Sequence, residues 1–511
     1  MAVTLAETLY LTDGYGYAGS DKAEFYTRAT LVFFAGMVFP FAWWLMHVTG
    51  RTVRQKYDIT VAEAAAVVWT LALLLSYLFS DYRDVALWGT RGWFMGLLPE
   101  LMGVAVFFLF DRVWKGPEWA PLLALAGLAV NAVMGIADRF GAGIVEGGNP
   151  SKLGTIGNMN WYCGYLVMLL FIPAVLLLLR EREHSALSIL CAVLSVLSFE
   201  ALMIQGSASG ELALGVGMLA LWALSCGSLR RMRRFAEVLC LFFLASSILF
   251  LACRLGARVN FTDAFVKLWI ETAVGPLGLL FSGILWGFFL RAESRKKGQG
   301  EGTPSGNEWM PKERFGRISS IFFYSVLGIC AVCVIIYGIY VLRFEMSPGW
   351  GSNRGATWFV GLQLFLRGEP LRQLFGAGPD AFYAYLSGGD WEWLSDFSGE
   401  VFSHLRLTNA HNEYLSLLVN TGLLGMLSFA ALMGSSIFRC MKAGKKGNTG
   451  AAICAVCLLA YTANGMVSFR TALTLPIMYL LLGLGEYYLR EERTPESGGD
   501  EISLRCKTGA E

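Results

Sequence analysis

Charge is scarce in this sequence. Only 16% of its 511 residues are Asp, Glu, Lys or Arg, and only four are histidine. A soluble chain carries about a quarter charged residues, so an ordinary soluble domain is excluded. In its place, 55% of the residues are hydrophobic, and apolar runs of about 20 residues, each enough to cross a bilayer core, recur along nearly the whole length. A basic leader followed by a short apolar stretch is also missing from residues 1–27, and the first apolar run, from about Thr30, reads as a retained helix. External cysteine is lacking too. The eleven cysteines fall almost entirely inside apolar runs, so no disulfide framework is expected outside the membrane. Two CAVC stretches, Cys330/Cys333 and Cys454/Cys457, have the spacing of zinc-ligating pairs. Each is embedded among Val, Ile, Leu and Ala with no charge to favour a thiolate, so these cysteines read as small apolar residues and no metal is expected.

The apolar runs predict an all-α, polytopic membrane protein of about 12–13 transmembrane helices with one large extracytoplasmic loop containing short helices. Lys and Arg concentrate in every second connection, as in "RTVRQKYD", "LRRMRRF", "RAESRKKG" and "RCMKAGKK". Such loops face the cytoplasm. The expected organisation is an outer N-terminal segment, 1–27, then transmembrane helices over 28–342 with a flexible cytoplasmic linker at 293–317. An outer loop, 343–410, follows, then further helices over 411–489 and a cytoplasmic tail, 490–511. The outer loop is too long for a mere connector and suggests function at the extracytoplasmic face of a cytoplasmic membrane.

Polar residues at the outer ends of the spans carry the functional signal. Of the four histidines only His404 and His411 fall outside. His411 opens a span, with Thr408 or Asn409 before it as N-cap. A helix N-terminus favours neutral imidazole, the form that accepts a proton near neutral pH, and it also suits an anion such as phosphate. On position alone, a helix cap and a site residue are both open readings. Arg354 opens an amphipathic stretch in the outer loop, and its planar fork matches a diphosphate. Arg367, Arg372, Arg406 and Arg470 are outside as well, where snorkelling to the interface is the alternative for each. "GAGPDAF" lacks the lysine of a phosphate loop and reads as a tight turn. The carboxylates of "GGDWEWLSDFSGE" (Asp390, Glu392, Asp396, Glu400) could gather a cation, but a solvated loop tip is the simpler reading.

These features resemble the bacterial O-antigen ligase and O-antigen polymerase family. The match runs through Arg354 and Trp358, then Pro370, Gly376, Gly378 and Phe382, then His411, Asn412, Tyr414 and Leu415 with Gly422 and Gly425. Upstream, "GTIGNMNWYCGYL" fits the family's Gly-Asn-x-Asn pattern at Gly157, Asn158 and Asn160, and "SDYRDVALWGTRGWFMGLL" is similar to its junction between early spans. The resemblance implies an inverting, metal-independent glycosyltransferase without a cofactor. It would move a glycan from an undecaprenyl-diphosphate carrier to an acceptor hydroxyl on a glycan, lipid or protein, in contact with membrane lipids and with no nucleic-acid partner. It implies His411 as the catalytic base and Arg354 on the diphosphate, with Asn412, Tyr414, Trp358, Asn158 and Asn160 lining the site. The sequence departs from the family where a Ser-Arg pair is usual: here stand Ser209, Gly210 and Glu211, so either another outside arginine (Arg91 or Arg470) takes its place, or the donor is gripped differently, or the member is inactive. Glu211 at a span's outer end is expensive in lipid and is expected to face a polar cavity. Ligase and polymerase are not separated by these residues.

Two other classes compete. A transporter or flippase for a lipid-linked or small substrate should show midplane polar breaks and internal repeats, neither of which stands out. A structural scaffold would have no need of His411 and Arg354.

Overall fold

The computed structural model describes residues 28, 59–90, 93–114, 120–142, 152–153, 156–180, 185–297, 312–345, 347, 349–391, 393–394 and 407–491. Expected elements in 1–27, most of the first span 28–49, the centre of the 293–317 linker, His404, Arg406, Arg91 and most of the tail lie outside these residues.

Among the described residues the regular structure is helical, apart from a two-residue antiparallel pair, β1 (Lys152–Leu153) with β2 (Gly157–Asn158). Its helices are α1 (Val61–Leu78), α2 (Arg83–Trp88), α3 (Leu97–Arg112), α4 (Ala120–Arg139), α5 (Met159–Val167), α6 (Phe171–Leu179), α7 (Ala186–Met203), α8 (Ala208–Ser225) and α9 (Leu229–Arg254). There follow α10 (Ala264–Glu271), α11 (Val274–Lys297), α12 (Lys312–Tyr340), α13 (Trp350–Leu366), α14 (Pro370–Phe375), α15 (Phe382–Gly388), α16 (Glu413–Lys446), α17 (Thr449–Asn464) and α18 (Leu475–Glu491). Among the described residues nine helical segments are long and apolar enough to cross a membrane, α5 and α6 counting as one. Three more expected spans are present as shorter helices: α3 and α17 have 16 residues each and α18 has 17.

Local chemistry sets the helix starts. Thr60 and Glu63 form a reciprocal capping box on α1, and Ser185, Ser207, Ser228 and Asn448 each accept a backbone N–H at the start of α7, α8, α9 and α17. The segment α5–α6 lies at the centre of the bundle, 89% buried, whereas α12 is only 6% buried and stands at its edge. Exposed Ile, Val, Phe and Tyr side chains cover α12 on nearly every side, a surface that suits lipid rather than water.

The bundle has two chemically distinct ends. At one, Arg180 pairs with Glu237, Arg233 with Glu293, Arg439 with Glu486, and Arg490 with Asp111 and Glu63. The starts of α5, α8 and α16 meet at the other end. There α14 and the turn after it press into a break in α16 at Gly422 (φ 67°, ψ −171°). The amides of Ala377 and Gly378 donate to the carbonyls of Val419 and Asn420, each at 2.9 Å. Those N–H groups are therefore used within the fold, as a tight turn requires and a phosphate cradle does not.

Candidate functional site

His411 does not open α16. The N-cap is Asn412, whose Oδ1 accepts from the amides of Tyr414 and Leu415 at 3.0 Å each. Asn409, expected as a cap, instead accepts the His411 amide at 2.9 Å. Capping a helix and closing a turn upstream of it use the same side-chain chemistry, which is why Thr408 or Asn409 read as the cap from sequence. His411 is left in the turn, in the left-handed region at φ 48°. Its ring packs edge-on against Phe469, with centroids 5.0 Å apart, and its carbonyl faces the Trp358 indole N–H at 3.5 Å.

Arg354 comes to the same place from α13. Its Nε donates to the Val467 carbonyl at 3.1 Å and its Nη1 to Gly351 O at 2.9 Å. Burial and the Arg354 charge hold the His411 imidazole well down, at about 4, and burial lowers Arg354 as well. The ring is thus neutral at neutral pH and carries a lone pair beside a cation. Trp358 lies one helical turn beyond Arg354 and pairs edge-on with Trp350 at 5.6 Å. Asn412 Nδ2 donates to Met466 O at 2.7 Å, and the Tyr414 hydroxyl donates to Thr462 O at 2.9 Å. Both side chains thereby tie α16 to α17 and the segment after it.

Arg470 lies behind this group. Its side chain is 10% exposed and meets Glu100 at 3.0 Å and Glu413 at 3.7 Å. Its guanidinium lies 5.3 Å from the Trp69 ring centre and 4.8 Å from that of Phe429. It lines a small cavity of about 40 Å³, bounded also by Trp93, Glu100, Asp380, Asn409, Glu413 and Phe469. Asp380 accepts the amides of Thr90 at 2.7 Å and Met95 at 3.2 Å, while Ser80 donates to Ala377 O at 2.6 Å. Residues 80–90 and 93–95 and "GAGPDAF" are thus packed together. Burial raises the Asp380 carboxyl to about 7, against the pull of those two amides.

No protein-family model matches the chain, and no curated protein matches it.

The remaining expected residues form an adjoining group. Asn158 caps α5 by accepting the Asn160 amide at 2.8 Å. Asn160 Oδ1 accepts from Ser207 at 2.9 Å, and Ser207 and Ser209 share a hydrogen bond of the same length. Glu211 accepts the Trp269 indole N–H at 3.0 Å. Consecutive edge-on contacts of 5.0 Å run from Trp161 to Trp93, from Trp93 to Phe469 and from Phe469 to His411, joining this group to the first. Arg91 lies outside the described residues, as do Glu392, Asp396 and Glu400. Among the described residues no set of three or more His, Cys, Asp or Glu side chains could hold a metal ion.

Sequence reasoning missed Glu413, Glu100, Asp380, Phe469 and Arg139. The signal for Glu100 and Glu413 was available, since a carboxylate at the end of an apolar run needs a partner. Arg139, at the end of α4, is buried over Phe261 and donates to Gln205 Oε1 at 2.9 Å and Gln205 O at 3.2 Å. It brings a guanidinium to the stretch that ends in Ser209 and Glu211.

Proposed function

We propose that this chain is an integral membrane glycosyltransferase of the O-antigen ligase/polymerase type. It transfers a glycan from an undecaprenyl-diphosphate carrier to an acceptor hydroxyl at the outer face of the cytoplasmic membrane. The observation that carries this reading is the neutral His411 imidazole beside Arg354, held at one end of an apolar helical bundle.

The chemistry is a single in-line displacement. The acceptor O–H gives its proton to the His411 imidazole as its oxygen bonds to the anomeric carbon. The bond from that carbon to the diphosphate oxygen breaks with its electron pair, and Arg354 stabilises the charge left on the carrier diphosphate. One displacement inverts the anomeric centre. An imidazole titrating near 4 is a weak base when the site is empty. A bound diphosphate offsets the Arg354 charge and adds its own negative charge, which raises His411 toward the range where a base works near neutral pH.

Deleting the gene and examining surface glycans tests the reading. Single unpolymerised units would indicate a polymerase, and full-length chains left on the carrier a ligase. Correctly inserted His411→Ala and Arg354→Ala chains should fail to restore wild-type glycans. Restoration by both would remove the basis of the proposal, and loss of surface glycans with the lipid-linked substrate retained on the inner leaflet would favour a flippase.

A further inference from the structure

Four of the five residues in 466–470 touch the proposed site or its supports. The Met466 carbonyl accepts from Asn412, the Val467 carbonyl accepts from Arg354, the Phe469 ring lies against His411, and Arg470 meets Glu413 beside the Asn412 cap. This segment is a connection between α17 and α18, and its own backbone offers only short turn bonds, such as Met466 N to Ala463 O and Val467 N to Asn464 O, each 3.2 Å. Its fixed point is Arg470. The guanidinium is held by Glu100 from α3 and Glu413 from α16 and lies against Trp69 and Phe429. Glu100 is anchored in turn: the Tyr479 hydroxyl donates to its Oε2 at 2.9 Å and itself accepts the Trp69 indole N–H at 2.8 Å. Five elements (α1, α3, α16, α18 and the 466–470 segment) converge on this one cation.

We infer that Arg470 is a positioning residue: anchored by Glu100 and Glu413, it fixes the segment that seats His411, Asn412 and Arg354, and it does not itself bind the donor. The inference rests on the proposed roles of His411 and Arg354. Two observations separate Arg470 from a diphosphate ligand. Its side chain is 10% exposed, and carboxylates already face its charge. Among the described residues the charged groups around His411 are Arg354 on α13 and, across Phe469, Arg470 with Glu413, Glu100 and Asp380. If Arg470 is lost, Phe469 loosens and water reaches the imidazole, so the burial that depresses His411 weakens.

The test uses the full chain in lipid nanodiscs with His47, His184 and His404 replaced by Gln, which leaves His411 as the only histidine. Its ring is titrated by NMR, a readout independent of transfer. Arg470→Met is made together with Glu100→Gln and Glu413→Gln, so that no buried carboxylate is stranded. The His411 midpoint should rise from about 4 by one unit or more in this variant. Arg470→Lys, which keeps the charge balance and the fold, should give a smaller rise. Affinity for undecaprenyl diphosphate should stay within about threefold in both, whereas Arg354→Ala should lose about tenfold or more. An unmoved midpoint in both Arg470 variants overturns the inference. So does a loss of about tenfold or more in undecaprenyl diphosphate affinity with the midpoint unchanged, which would make Arg470 a direct ligand. Failure of the functional reading looks different: Arg354→Ala would then bind undecaprenyl diphosphate as well as the parent chain, whatever the titration shows.

Discussion

Arg470→Met should be among the most destabilising single substitutions in this protein, and the reason can be worked from distances. At an effective dielectric of about 20, a unit charge pair at 3.0 Å or 3.7 Å has a gross attraction of about 5 kcal/mol. Most of that attraction offsets the cost of burying the charges, so the net worth of the cluster is small. Breaking it is another matter. Removing one partner of a buried pair costs about 3–5 kcal/mol because it strands the other charge. Here two carboxylates are stranded, and two cation–π contacts of about 0.5–2 kcal/mol each disappear with them. A loss of about 5 kcal/mol is expected, comparable with the whole stability of a marginal domain. Adding Glu100→Gln and Glu413→Gln should bring the loss back to about 1–2 kcal/mol, because a Gln oxygen still accepts the Tyr479 hydroxyl and no charge is left unpaired. Reversible unfolding of detergent-solubilised chain, followed by tryptophan fluorescence, measures each variant. If the triple variant is as unstable as Arg470→Met alone, with coupling below about 0.5 kcal/mol, the cluster is not an ion-paired unit and the reasoning fails.

Three further outcomes are expected. Asp380 has its folded pKa raised to about 7, so its contribution is full below about pH 4 and is lost as pH rises through 7. Asp380 alone should cost the wild-type chain about 4 kcal/mol across that window, and Asp380→Asn, which keeps an acceptor for Thr90 and Met95, should remove that contribution from a stability–pH profile. Gly378→Ala places a methyl group against Ser80 at a backbone φ of 127°, and should cost about 1–3 kcal/mol and open the 376–382 turn to limited proteolysis. Asn412→Ala should lose about 1 kcal/mol of capping energy together with the bond to Met466 O, whereas Asn412→Asp keeps the cap and loses only that bond. A comparison of the two in stability and glycan-transfer assays separates helix capping from seating of the 466–470 segment.

The transmembrane architecture was legible because lipid permits so few alternatives: a long uncharged run must satisfy its own backbone, and a helix does so. The shortness of α3 and α18 was less legible, since Glu100 and Arg490 mark their ends only through partners that are remote in sequence. The same limit applies to the site. His411 and Arg354 stood out as scarce polar residues next to apolar runs, and the structure brings them together. Arg470 also stood out, but nothing local announced that Glu100 and Glu413 would meet its charge, because both partners lie on other helices, far from it in sequence. Asp380 was hidden inside a turn motif whose glycines drew attention to the backbone rather than to the carboxylate that locks it.

Backbone strain supplies an argument that sequence pattern could not. His411 sits at φ 48°, and Gly351, Ser352 and Asn353, immediately before Arg354, lie at φ 60°, 60° and 70°. A left-handed non-glycine residue costs about 1–2 kcal/mol, so such conformations persist only where the surroundings enforce them. At His411 the enforcement is visible: Asn409 takes its amide, Trp358 faces its carbonyl, Phe469 covers its ring, and the Asn412 cap fixes the next peptide. A histidine that merely capped a helix would need none of this, because a Ser or Asn in extended conformation caps without strain. Two strained turns therefore flank the two residues proposed as base and diphosphate contact. That coincidence is what preorganisation predicts for the proposed reaction: the cost is met in folding, so that the imidazole and the guanidinium would not need to reorganise on binding a donor.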